Sequence, residues 1–76
     1  MITVHVQLIG YLAVQAGTPA CDLQFEAPPT VDALLARLNL NPATPRMAMR
    51  NGRGLACTEL LVDGDRIAVA PFYSGG

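Results

Sequence analysis

The chain has 76 residues, of which 51% are hydrophobic and 14% are charged, and its formal net charge is −1 at pH 7. This length fits a single domain near the lower size limit for unaided folding, and the apolar content argues against a disordered chain. The basic residues are scattered arginines with no lysine among them. The charge composition therefore gives no indication that the protein binds nucleic acid or an anionic membrane.

The N-terminus and the cysteines indicate the compartment. The opening stretch, MITVHVQLIG, alternates apolar and polar residues, whereas a secretory signal needs a basic start and a continuous apolar run. No stretch approaches the roughly 20 apolar residues of a membrane span. Cys21 and Cys57 have no CxxC partner and lie far from the single histidine, His5, so zinc-finger spacing is absent. We expect a cytoplasmic protein with two buried, reduced thiols, with a disulfide as the alternative.

The first half of the chain predicts two strands and one helix. Apolar residues at every second position predict strands over 2–8 and 21–25, which would form a hairpin across a turn at 17–19. A helix is predicted over 30–38, because Thr30 is a good N-cap residue. The apolar residues of this helix recur at helical spacing and are Val31, Leu34, Leu35 and Leu38.

The second half predicts three further strands. Asn51-Gly52 between two short extended runs is the signal for a type I′ hairpin turn. A tight turn at Asp63-Gly64-Asp65 precedes a final strand with Ile67 and Val69 on one face. The order indicates an α+β fold, in which a mixed sheet of four to five strands packs on one helix in the ubiquitin-like β-grasp arrangement. We predict a domain over 1–71 and a flexible Gly-Gly tail over 72–76.

Few residues could perform catalysis within the chain. His5 occupies a polar position of the first strand and is expected to face solvent, and no serine or cysteine has a histidine nearby in sequence to activate it. The aspartates around Gly64 fit a turn, and the acidic ladder of an EF-hand is missing. We therefore expect no bound metal and no stably bound cofactor.

The tail is the remaining candidate. If the last strand ends near Pro71, residues 72–76 could project on the order of 16 Å from the domain. Gly75 and Gly76 lack a Cβ and would fit a narrow channel, while Phe72 and Tyr73 offer apolar area for docking. The terminal carboxylate of Gly76 is ionised and a poor electrophile at neutral pH, so it becomes reactive only after a partner converts it to an anhydride such as an acyl-adenylate.

The stretch LLVDGDRIAVAPFYSGG resembles the C-terminal signature of the ThiS/MoaD family of ubiquitin-like sulfur carriers. Its matching elements are Leu61, the Asp63-Gly64-Asp65 turn, the strand residues 67–69, and the final Gly75-Gly76. The helix TVDALLARL is also similar to the start of the family's helix. The resemblance covers essentially the whole chain and agrees with the β-grasp order derived from the residues.

The resemblance implies a carrier rather than a catalyst. An E1-like activating enzyme of the MoeB/ThiF type would use ATP to adenylate Gly76, and a sulfur donor would convert the adenylate into a thiocarboxylate. The residues that bind partners would be Pro71, Phe72, Tyr73, Ser74 and Gly75, and part of the apolar sheet face would be covered by a partner subunit. The length of the N-terminal half and Pro71 look more like the small subunit of molybdopterin synthase, whose large subunit would accept the sulfur.

Two differences from the family's usual sequence leave open which biosynthetic enzyme receives the sulfur. The molybdopterin type usually has two prolines where this chain has Ala70-Pro71-Phe72, and the tail FYSGG is more aromatic than usual. The alternatives are a ThiS-type carrier for the thiazole of thiamine, and a β-grasp interaction module without sulfur chemistry. Direct sulfur transfer by Cys21 or Cys57, and conjugation to other proteins, are weaker options.

Overall fold

The structure is a computed structural model, and it describes residues 1–41 and 43–72. Five strands and two helices follow one another along the described chain. They are β1 (Ile2–Leu8), α1 (Tyr11–Ala16), β2 (Ala20–Phe25), α2 (Val31–Arg37), β3 (Arg46–Arg50), β4 (Arg53–Gly54) and β5 (Arg66–Pro71).

The strands form one mixed sheet in the order β2-β1-β5-β3-β4. β1 and β5 lie side by side near the middle and run parallel, with Leu8 opposite Val69. β2 is antiparallel to β1, and β3 is antiparallel to β5. The predicted ubiquitin-like β-grasp fold is thereby confirmed. The end at which β1 and β5 finish, at Leu8 and Pro71, is called the exit end below, and the end at which they start is called the turn end.

The core lies between one face of the sheet and α2. β1 contributes Val4, Val6 and Leu8 to it, in agreement with the predicted alternation. The four apolar residues predicted for the helix are all buried, and they belong to the same core cluster as the buried residues of the sheet. The remaining members of the buried cluster are Leu12, Ala48, Leu61, Ile67 and Val69.

Local signals account for the boundaries of α2 and for the β3–β4 hairpin. The hydroxyl of Thr30 accepts a 3.1 Å hydrogen bond from the amide of Ala33, which confirms the predicted N-cap. Asn51 and Gly52 have φ values of 53° and 76°, the left-handed pair that a type I′ turn requires. The hairpin therefore closes where the sequence predicted it.

The structure contains a second helix that the sequence analysis missed. The predicted hairpin between the first two strands assigns no element to residues 11–16, which form α1. Gly17 ends α1 in the left-handed conformation at φ 81°, and its amide donates to the carbonyls of Ala13 and Val14. Gly10 precedes α1 without a capping side-chain hydrogen bond, so the usual N-terminal signal of a helix is missing from the sequence.

Within residues 1–41 and 43–72, no helix has the length and apolar character that crossing a membrane would require.

Candidate functional site

The candidate site begins where the chain leaves the sheet at the end of β5. Pro71 still pairs with Arg46 of β3, and the amide of Phe72 donates a 3.1 Å hydrogen bond to the carbonyl of Pro45. Phe72 is 52% exposed although its backbone is held. The described chain therefore stays attached to β3 as far as Phe72, one residue beyond the last paired residue.

The other predicted tail residues are Tyr73, Ser74, Gly75 and Gly76. They lie outside the described residues, so their roles in activation and in partner binding stay predictions. The structure describes the part of the domain to which this segment is connected, which is called the base of the tail below. That base has three components: the central strand β5, the corner that precedes α1, and the described parts of the connector, 38–41 and 43–45.

The corner before α1 lies directly against the end of β5. The amide of Ile9 donates a 3.0 Å hydrogen bond to the carbonyl of Val69, which extends the pairing beyond β1. Gly10 then turns the chain with φ 64°, a conformation that glycine adopts without strain. A Cβ at this position would lie 3.4 Å from Cγ of Pro71. The start of α1 and the base of the tail are thus in contact.

The connector closes the other side of the base. The side-chain amide of Gln15 in α1 donates to the hydroxyl of Thr44 at 3.2 Å, and its oxygen accepts from the amide of Asn41 at 3.1 Å. The guanidinium of Arg46 donates to the carbonyl of Asn41 at 3.0 Å. These bonds fix the chain on both sides of residue 42, and Pro45 is held where it accepts from Phe72. The base of the tail is therefore built from segments far apart in sequence.

The Asp63-Gly64-Asp65 motif lies at the turn end and has a structural role. The carboxylate of Asp63 accepts from the amide of Thr3 at 2.8 Å, and the amide of Gly64 donates to the carbonyl of Thr3 at 2.8 Å. The carboxylate of Asp65 accepts from Arg50 at 2.7 Å and from the amide of Val62 at 2.9 Å. The motif thus connects the starts of β1 and β5 to the end of β3.

The face of the sheet opposite α2 carries a shallow open groove of about 570 Å³. His5 and Asp22 face each other across β1 and β2 on this side, with Nδ1 and Oδ1 2.8 Å apart. The side chain of His5 is 43% exposed, so its predicted position toward solvent is confirmed. Arg66 lies opposite His5 on β5, and Ala68 and Met49, which face each other on neighbouring strands, also line the groove. The groove is a mixed polar and apolar surface without a cysteine in its lining.

The prediction of two buried thiols is wrong for Cys57. Both cysteines are free, and Cys57 is exposed whereas Cys21 is half-buried. Cys57 lies on the loop that passes over the start of α2, where its carbonyl accepts from the amide of Asp32; its backbone is held, and its side chain faces outward. Burial raises the pKa of the Cys21 thiol, and the carboxylate of Asp22 raises it further. The surroundings of Cys21 therefore disfavour the thiolate that a sulfur-transfer nucleophile requires.

A search of residues 1–41 and 43–72 finds no group of three or more His, Cys, Asp or Glu residues placed to hold a metal ion.

No family model matches the chain, and no curated protein matches it in sequence. Solved structures do match. A putative molybdopterin converting factor subunit 1 from Pyrococcus furiosus is 18% identical at a TM-score of 0.84, covering 96% of this chain and 100% of that chain. The small archaeal modifier protein 1 from H. volcanii is 20% identical at 0.76, with the same coverage.

The small archaeal modifier protein 1 from Methanosarcina acetivorans is 29% identical at a TM-score of 0.66, and the match covers 100% of this chain and 98% of that chain. The structural neighbours are thus small ubiquitin-like proteins of the molybdopterin-factor and modifier types, matched over almost their whole length. The predicted resemblance to ThiS/MoaD-type proteins is confirmed, and the chain is a ubiquitin-like β-grasp protein with this fold.

Proposed function

We propose that this protein is a sulfur carrier that bears its cargo on the carboxylate of Gly76. An E1-like enzyme would join that carboxylate to AMP, using ATP and releasing pyrophosphate. Sulfide would then displace AMP and leave a thiocarboxylate, whereas attack by a persulfide would give an acyl disulfide that a thiol must reduce to release the thiocarboxylate. The protein itself is a co-substrate in this scheme, and ATP is bound by its activating partner. The sulfur would be used in molybdopterin synthesis, and the alternative is synthesis of the thiazole of thiamine.

The proposal rests on one observation: the strand that precedes the tail is a central strand of the sheet. β5 is paired on both sides, by β1 and β3, and the chain beyond it is held once more through the amide of Phe72. Four residues follow Phe72 in the sequence, and the last two are glycines. A short segment on a rigid base suits a carrier, because a partner can bind the domain and still admit the narrow glycine terminus to its active site.

A modifier function is the second candidate, and two of the structural neighbours favour it, since both are small archaeal modifier proteins. The activation step would be the same, but an amine of another protein would displace AMP to form an amide. The present sequence has no lysine, so copies of this chain could not be joined through side-chain amines. A β-grasp interaction module remains the alternative without any chemistry at Gly76.

Intact-mass measurement separates these functions. The purified protein is incubated with ATP, a sulfide source and an extract of its own host, beside a matched variant with one residue added after Gly76. A mass gain equal to the replacement of oxygen by sulfur, seen with the unextended protein alone, is the result expected of a carrier. Adducts with other proteins instead of this gain would favour the modifier. No change in either sample, with an extract shown to be active, would favour the interaction module.

The cysteines require a control in the same experiment. A persulfide on Cys21 or Cys57 would add a whole sulfur atom, a larger mass gain than the exchange of oxygen for sulfur, so the measurement is repeated on the Cys21→Ser/Cys57→Ser double variant. We expect the double variant to show the same oxygen-to-sulfur gain as the parent. A whole-sulfur gain in the parent that the double variant lacks, with the fold intact, would instead assign the sulfur to a cysteine.

A further inference from the structure

Exposed apolar side chains lie in the segments that adjoin the base of the tail. Ile9, Val14 and Phe72 are exposed to 40%, 81% and 52%, and together they form what is called the exit surface here. Ile9 hydrogen-bonds to Val69 beside the end of β5, and Phe72 is the last described residue. Val14 is in α1, a helix whose six residues span about 9 Å and which begins beside Pro71. An 81% exposed valine does not contribute to the core, so its contribution to folding is small.

The length of the tail limits where a partner can bind. Four residues follow Phe72 in the sequence, and four residues extend at most about 14 Å. An enzyme that acts on the carboxylate of Gly76 must therefore place its active site within that distance of Phe72. A protein partner that covers about 800 Å² of this chain occupies a disc of roughly 16 Å radius. Such a disc centred on Phe72 includes the corner at Ile9 and α1, whose start adjoins Pro71.

We propose that the exit surface is the docking site of the adenylating enzyme that activates Gly76, with Val14 of α1 as a central contact. The proposal rests on the function proposed above. The enzyme's contacting surface would be apolar, because the three side chains are aliphatic or aromatic and a valine in contact with a partner gains free energy only by leaving water. α1 would thus be a recognition element rather than a mere connection between β1 and β2.

The turn end offers a matched control. Leu60 and Val62 are exposed to 60% and 57%, so they form a comparable apolar surface. Val62 immediately precedes Asp63, whose carboxylate holds the amide of Thr3 at the start of β1. The six residues of β5 separate this end from the exit end by about 20 Å. A tail that reaches at most about 14 Å does not bring the partner's active site to Val62.

The test compares Val14→Glu with Val62→Glu, which add the same charge to two exposed valines. ATP–pyrophosphate exchange by the purified E1-like enzyme of the same organism is measured against the concentration of each variant. We expect Val14→Glu to raise KM at least tenfold with kcat preserved, because docking and not the chemistry is impaired. Val62→Glu should leave KM within twofold of the parent. The neutral variant Val14→Gln should raise KM in the same direction by a smaller factor.

Several outcomes would overturn the assignment. Equal KM values for the parent and both Val14 variants would remove α1 from the interface while leaving the carrier function in place. An equal rise in Val14→Glu and Val62→Glu would assign the effect to added charge. Absence of exchange with the parent protein, using an enzyme active on another carrier, would refute the proposed function and this inference with it. Thermal unfolding of each variant, followed by circular dichroism, excludes a folding defect as the cause of a raised KM.

Discussion

Arg50 and Asp65 form an ion pair of 2.7 Å between the end of β3 and the start of β5. The two side chains are 28% and 12% exposed, so the pair is partly withdrawn from water. Asp65 also accepts from the amide of Val62, so its carboxylate holds the turn to the end of β3. The Asp63-Gly64-Asp65 motif is therefore explained by the folding of β5 rather than by chemistry at the motif.

The two aspartates of this turn should contribute unequally to stability. We expect Asp65→Ala to lower the free energy of unfolding by about 2–3 kcal/mol, because the Arg50 guanidinium and the Val62 amide both lose a charged acceptor. Asp63→Ala should cost about 0.5–1.5 kcal/mol, since Asp63 is exposed and accepts from one amide. Urea unfolding measures both. Equal losses would mean that the ion pair contributes no more than a surface turn bond.

Adjacent leucines provide a test of the core. Leu61 is fully buried, whereas Leu60 is 60% exposed. We expect Leu61→Ala to destabilise the protein by about 2–5 kcal/mol through lost burial and a cavity, and Leu60→Ala to change stability by at most about 0.5 kcal/mol. Denaturant midpoints of the two variants decide the matter, and a large effect at Leu60 would contradict the described packing of this segment.

Gly52, in the β3–β4 turn, and Gly54, in β4, should respond differently to alanine. Gly52 has φ 76° with open space around a Cβ, so the cost of Gly52→Ala is conformational, about 1–2 kcal/mol. Gly54 has no positive φ, and a Cβ there would meet only Cε of Met47 at 3.9 Å. Thermal unfolding should therefore show Gly54→Ala close to the parent. A tolerated Gly52→Ala would argue against the left-handed turn.

The cysteines should differ in their reaction with iodoacetamide. Cys57 is exposed and should be alkylated first. Cys21 is half-buried, and burial together with Asp22 raises the pKa of its thiol. At a given pH below that pKa, the fraction of Cys21 present as the reactive thiolate is therefore smaller than for a cysteine with the ordinary pKa. Its alkylation should become appreciable only as the pH is raised further. Mass spectrometry of peptides gives both rates, and unfolding in urea should make the rates similar. Faster reaction of Cys21 in the folded protein would contradict this assignment.

Features set by neighbouring residues were predictable from the sequence. The alternation in β1, the hydroxyl cap of α2 and the Asn51-Gly52 turn each depend on fewer than ten consecutive residues, and each was confirmed. The short helix α1 was missed because it has no capping side chain and its six residues include tyrosine and valine, which are weak helix formers. Its one local signal is Gly17 at the C-terminal end, which was interpreted as part of a turn.

The surroundings of the tail depend on contacts that no local pattern encodes. Pro45 and Phe72 are joined by a backbone hydrogen bond across 27 positions of sequence, and Ile9 reaches Val69 across 60. Such pairings follow from the order of strands in the whole sheet, so a single sequence gives the residues of the tail but not the elements that hold its base. The exposed side chain of Cys57 was mispredicted because an apolar sequence context does not show whether a loop turns a side chain inward.

The parallel pairing of β1 and β5 has a consequence for an activated terminus. Leu8 is level with Val69, so Met1 starts seven residues before this level and Phe72 lies three residues beyond it. Ten residues of extended chain place Met1 and Phe72 roughly 33 Å apart, while the four residues after Phe72 reach at most about 14 Å. The side chain of Met1 is therefore out of reach of Gly76 in the same molecule. Under the proposed function, an acyl-adenylate at Gly76 would thus be protected by the topology from groups at the far end of β1, and its acceptor would come from a second molecule.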